Sequence, residues 1–219
     1  MDSVIPLCTR RHTGYSSGMM IPASESEAAS GRSEWTSLDP AAKRERLLVA
    51  ATEVFARDGL EAPMSVVAEA AGSGVASVYR LFESKRELLA ALVVRRMDTI
   101  AAAAQEAYEQ PGNRWEALTS MVRSLVSAQR ADYLIGDARA IVSDHPDVIE
   151  AVARAGKAQE QLLAAARAEG RLRADATTVD LRLVFAATRA ARRVEPEQWP
   201  RMLELMIDAL DAHRGSPDR

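Results

Sequence analysis

A chain of 219 residues with 47% apolar and 27% charged side chains can bury a sizeable core and has the balance of an ordinary globular protein of one or two domains. Only 5% is aromatic, so alanine, leucine and valine must fill the interior, which favours helices. The net charge of −3 excludes a chain-wide basic footprint for nucleic acid, and no run approaches the roughly 20 apolar residues that cross a bilayer.

Residues 1–38 mix Ser, Gly, Pro and charge without periodicity and are expected to form a disordered tail. Their start lacks a sustained apolar segment of signal-peptide length, and the lone Cys8 excludes an internal disulfide or a cysteine-based zinc site, so a reducing, cytoplasmic setting is expected. Arg10-Arg11 are read as solvated tail residues rather than as an arm for the minor groove.

Order is predicted to begin at Asp39-Pro40, an N-cap followed by a proline suited to the first helical position. Leu47, Leu48, Ala51, Val54 and Phe55 then recur at helical spacing until Gly59, giving a first helix over about 40–58. A short second helix over about 63–71 carries Val66, Val67 and Ala70 inward. Gly72 supplies a sharp turn, and Ser73-Gly74 let a third short helix start close against the second. Ser84 with Glu87 forms a capping box for a long fourth helix to about Glu109. Further helices are predicted over about 114–131, 137–143, 146–169, 178–193 and 196–213, separated by turn or cap chemistry that includes Gly136. No stretch alternates like a strand.

The segment "AAGSGVASVYRLFESKRELL", residues 70–89, carries the chemistry. Two short helices joined by a glycine turn lay a recognition helix into a major groove. Val78, Leu81 and Phe82 share one face, which leaves Val75, Ser77 and Arg80 pointing outward and Tyr79 at the edge. Tyr79 can offer its hydroxyl to a phosphate, and Arg80 can reach a phosphate or a base edge. The start of the fourth helix attracts anions, and Lys85 and Arg86 in its first turn call for an anionic partner. Lys43, Arg44 and Arg46 bias the start of the first helix the same way. The candidate DNA contacts are Lys43, Gly74, Val75, Ala76, Ser77, Tyr79, Arg80 and Lys85; the competing reading buries Tyr79 and Phe82 in a core-packing helix pair.

On these residues the chain resembles the TetR family of transcriptional regulators over about 44–90. Arg46, Leu48, Ala51, Phe55 and Gly59 stand at the family's first-helix positions, Val67-Ala68 at its Ile-Ala pair, and Tyr79, Phe82 and Ser84-Lys85 close its signature. Ser73 departs from a usual valine, and Pro63-Met64 from a usual Ser or Thr cap. The resemblance implies an all-α fold. A three-helix helix-turn-helix DNA-binding domain (39–88) is joined through the long helix to a helical effector-binding and dimerisation domain (89–219), of which "AAARAEGRLRADATTVDLRLVFAA" resembles one common version.

The apolar faces of the last two helices agree with a homodimer: Leu181, Val184 and Phe185 on one, Trp199, Met202, Leu203, Met206 and Leu210 on the other. Trp115, Met121, Leu125, Tyr133 and Phe185 are the candidate ligand-cavity residues, each equally able to fill the core. His145 has nearby acids, and capping at Asp144-His145-Pro146 accounts for them without a metal. No activated-nucleophile signature or phosphate-cradling glycine loop is present, so no cofactor and no enzymatic role are expected. The resulting expectation is a ligand-responsive, homodimeric regulator, a repressor released from double-stranded operator DNA by a small molecule. The alternatives are a helical binding or scaffold protein of the same fold without operator binding and, more remotely, an enzyme using the C-terminal cavity.

Overall fold

The Asp39 carboxylate accepts the backbone N–H of Ala42 at 2.8 Å, and Pro40 follows it, so α1 (Pro40–Asp58) starts where the cap chemistry requires. It ends at Gly59, whose φ of 82° only glycine adopts readily. The computed structural model describes residues 34–127 and 132–213, with Asp132 and Tyr133 described in backbone only. Cys8, Arg10-Arg11 and His12 therefore lie outside the described residues. The end of the expected tail is corrected: residues 34–37 form a helical turn, and Trp35 is 6% exposed against the core.

After α1 come α2 (Met64–Ala70), α3 (Val75–Leu81) and the long α4 (Lys85–Glu109). The five apolar residues predicted to face inward from α1 are all buried. α1 packs on α2 and α2 on α3, while α4 touches α1 at one end and α5 (Arg114–Ser127), α6 (Asp132–Ile141) and α7 (Pro146–Ala168) along the rest. A single helix is thus shared by both halves of the chain, and one continuous apolar core runs through them. α8 (Thr178–Val194) and α9 (Trp199–Leu210) close the bundle and pack on each other. Among the described residues there is no strand, only an isolated antiparallel bridge, Leu172 with Asp211, that pins the α7–α8 linker to the end of α9.

Two predicted boundaries move. The helix expected over 137–143 spans Asp132–Ile141, because Gly136 lies inside it rather than before it: the Arg189 guanidinium lies where a Cβ would sit. The last helix starts at Trp199 rather than near 196, since residues 195–198 form a turn closed by Gln198 N–H to the Glu195 carbonyl at 3.0 Å. The helix expected to reach 131 is described to Ser127. A cap that sequence reading missed begins α8, where Thr177 and Asp180 satisfy each other reciprocally.

Candidate nucleic-acid interface and internal cleft

The turn before α3 is built by backbone geometry. Gly72 sits at φ 68°, its N–H donates to the Glu69 carbonyl at 2.9 Å, and the Ser73 N–H donates to the Ala68 carbonyl at 2.8 Å. This paired ending of α2 is a Schellman motif, whose left-handed residue is naturally glycine. Ser73, which departs from the usual valine, is half-buried, and its hydroxyl donates to the same Ala68 carbonyl at 3.3 Å. The substitution therefore leaves no buried hydroxyl unsatisfied.

α3 stands on Val78, which has no exposed surface, and on Phe82 just beyond its end, at 2%. Val75 and Tyr79 are 40% and 48% exposed, apolar or aromatic surface that the core does not use. Gly74, Ala76 and Arg80 are exposed beside them, and Ser77 is half-buried. The competing burial of Tyr79 is thereby removed, while that of Phe82 holds. The Ser77 hydroxyl accepts from the Arg80 guanidinium at 2.9 Å, which orients the arginine along the outer face.

The basic residues divide into engaged and available ones. Arg44 stacks over the Phe82 ring at 4.4 Å, Arg46 pairs with Glu34 at 3.3 Å, and Arg95 pairs with Glu45 at 2.8 Å. Arg86 donates to the Ile141 carbonyl at 2.8 Å and pairs with Asp144, so the anion expected to compensate it belongs to this chain. Lys43, Arg80 and Lys85 make no ion pair with a described residue; Lys85 has its ammonium 5.8 Å from the Phe55 ring.

The start of α4 is bonded to the α6–α7 junction at a second point. Ser84 caps α4 by accepting the Glu87 N–H at 3.2 Å, but the Glu87 carboxylate lies 3.2 Å from His145 Nε2. The expected capping role of Asp144-His145 is corrected accordingly: His145 stands at the N-cap of α7 without a side-chain cap bond, and both residues reach across to α4. The Arg86 guanidinium holds the Asp144 carboxyl below its usual range.

A cleft of about 530 Å³ opens between α4, α6, α7 and α8. Of the expected cavity residues Phe185 lines it, half-buried. Trp115, Met121 and Leu125 are 5–7% exposed core residues that do not line it, because the face of α5 that carries them is directed into the bundle. The Tyr133 side chain lies outside the described residues. Residues that sequence reading did not single out make most of the wall, among them Met97, Ile100, Gly156 and Gln159.

Known proteins resemble this chain in both sequence and fold. Residues 47–92 match the family model described as bacterial regulatory proteins, tetR family. The HTH-type transcriptional repressor KstR of Mycolicibacterium smegmatis is 31% identical over 131 residues, which cover 58% of this chain. The chain spans 64% of that relative's length. Among solved structures, a TetR transcription regulatory protein from Mycobacterium vanbaalenii is 33% identical, with 73% of this chain and 96% of that one covered at a TM-score of 0.51. A TetR transcriptional regulator from Streptomyces coelicolor is 28% identical, with 77% and 98% covered at a TM-score of 0.56.

Proposed function

The chain belongs to the tetR family of bacterial regulatory proteins, and we propose that it acts as a homodimeric repressor that leaves a roughly palindromic operator when a small molecule binds. The observation that carries this reading is the outward face of α3, where Tyr79 and Val75 are exposed without a core role and Arg80 is oriented by Ser77. In this reading Ser77 and Arg80 read base edges while Gly74, Val75 and Ala76 allow and shape the approach to the groove. Tyr79, Lys43 and Lys85 hold phosphates.

Residues 39–88 form the reading head and 89–219 the body that senses effector and pairs with a second copy. Pairing through α8 and α9 is supported by their exposed apolar side chains: Leu183 at 56%, Leu205 at 53%, Val179 at 47% and Met202 at 42%. A monomer would leave that surface in water. Two reading heads must then reach successive major grooves about 34–36 Å apart. Movement of α6 and α7 around a bound effector reaches α4 through the Arg86 and His145 bonds, and an effector favouring a differently splayed dimer draws the population off DNA.

The test is binding to duplex DNA from the promoter beside the chain's own gene, measured by gel shift over a salt series. Tight binding that weakens with salt is expected, and undetectable binding at low salt would leave the scaffold alternative in its place.

A further inference from the structure

The cleft between α4, α6, α7 and α8 has an unusual charge balance. Four arginines line it, Arg96 from α4, Arg139 from α6, and Arg182 and Arg189 from α8, and among the described residues none that lines it is acidic. Arg139 and Arg182 make no ion pair with a described residue. The larger groove between α1 and α4 differs: its Arg95 is neutralised by Glu45 at 2.8 Å, and its Asp98 by Arg154 at 2.9 Å. The rest of the α4–α8 cleft is apolar, with Met97, Ile100, Ile135, Val152 and Phe185 in its wall.

Three further features point to a ligand. Gln159, 6% exposed, lines the cleft and makes no hydrogen bond with a described residue, so its amide is available to bond to something in the cleft. Gly136 and Gly156 both lie inside helices, where glycine is unfavourable relative to alanine, and both line the cleft. At Gly136 the missing side chain makes room for the Arg189 guanidinium; at Gly156 a Cβ would meet nothing within 4 Å, so the glycine leaves volume open.

We infer that this cleft binds an amphipathic oxyanion, an apolar body ending in a carboxylate or phosphate, with the head among the arginines and Gln159 and the body against the apolar wall. A guanidinium fork matches either head in bidentate geometry, and burial beside apolar surface strengthens that bond. The volume of about 530 Å³ suits a small effector rather than a polymer. The inference rests on the ligand-responsive reading above and names the chemistry of its effector.

Four probes of one chain length test it on the full chain by titration calorimetry below micellar concentration: decanoate, decyl phosphate, decanol and decyltrimethylammonium. One or both anions should bind about tenfold or more tighter than the alcohol, and the cation weakest, as expected for a charge-assisted contact. The stronger anion identifies the head group. Arg139→Ala with Arg182→Ala should bring the better anion down to the level of decanol, and Gly156→Leu should weaken every apolar probe by filling the open volume. Gly136→Ala provides a variant that improves helix propensity while displacing the Arg189 guanidinium, so reduced anion affinity in a fully folded protein supports the assignment. Equal affinity for anion and alcohol, or an anion preference that survives the double arginine variant, would overturn it. Operator binding is measured separately: its loss with anion affinity intact defeats the regulator reading alone, and anion binding that never displaces operator defeats ligand responsiveness alone.

Discussion

Replacing Lys85 by alanine should flatten the salt dependence of operator binding, while the same change at the adjacent Arg86 should leave it unaltered. Arg86 is already engaged by the Ile141 carbonyl and Asp144, whereas Lys85 has no ion pair with a described residue. If Lys43 and Lys85 each neutralise one phosphate in both protomers, about four counterions are displaced, and log affinity falls against log salt with a slope near −3.6. Raising salt from about 50 to about 200 mM then costs the wild-type protein about 150-fold in affinity. Lys85→Ala removes two of the four phosphate partners, so the slope halves to about −1.8 and the same salt change costs only about 12-fold. Folding should survive, because the cation–π interaction of the Lys85 ammonium with the Phe55 ring, at 5.8 Å, is worth about 1 kcal/mol or less. Fluorescence anisotropy of a labelled operator across the salt series measures both slopes. An Arg86→Ala slope that drops as far as that of Lys85→Ala, or a Lys85→Ala slope equal to wild type, would refute the division between engaged and available cations.

Two further outcomes follow from the same bonding and burial. Tyr79→Phe should weaken binding to every sequence, by roughly 1 kcal/mol for the phosphate hydrogen bond it removes, while Ser77→Ala and Arg80→Ala should change which operator is enriched from random duplexes; identical enrichment for all three variants contradicts these roles. Asp211, 4% exposed, is pushed upward in pKa by burial, but the His213 backbone N–H and the Arg171 guanidinium outweigh it and hold the carboxyl below its ordinary 3.8. A depressed folded-state value gives stability that is complete above the unfolded value and lost as pH falls through the folded one. Asp211→Asn should therefore be less stable than wild type at neutral pH, by about 1–3 kcal/mol, with the gap closing as pH falls below about 4. Denaturant melts at a series of pH values would contradict this if the gap were constant.

The amino-terminal helices were legible because their determinants are local. Asp39-Pro40 and Gly59 bound α1 through cap bonds and a positive φ that depend on a few neighbouring residues, and Gly72 ends α2 in the same way. The outward face of α3 was equally readable, since Val78 and Phe82 fix which side is buried. What escaped was long-range. Nothing near Arg86 in sequence announces that its partners are Ile141 and Asp144, and the pair Ser84 and Glu87 reads as a reciprocal box until His145 draws the Glu87 carboxylate away.

The wall of the cleft was less legible for a related reason. Sequence reasoning sought its wall among large apolar residues, but Trp115, Met121 and Leu125 are what a helical bundle uses to fill space, and a cavity survives where side chains are small or charged. The informative signals were glycines in the wrong place. Gly136 looked like a separator because glycine inside a helix costs about 1 kcal/mol relative to alanine, yet it lies within α6, with the Arg189 guanidinium where a side chain would be. Gly156 lies within α7 with open space where its side chain would be. A helical glycine tolerated at that cost and not flanked by turn residues marks a place where the fold needs a side chain's space, for the Arg189 guanidinium at Gly136 and as open volume at Gly156. Here the two such positions line one arginine-walled cleft.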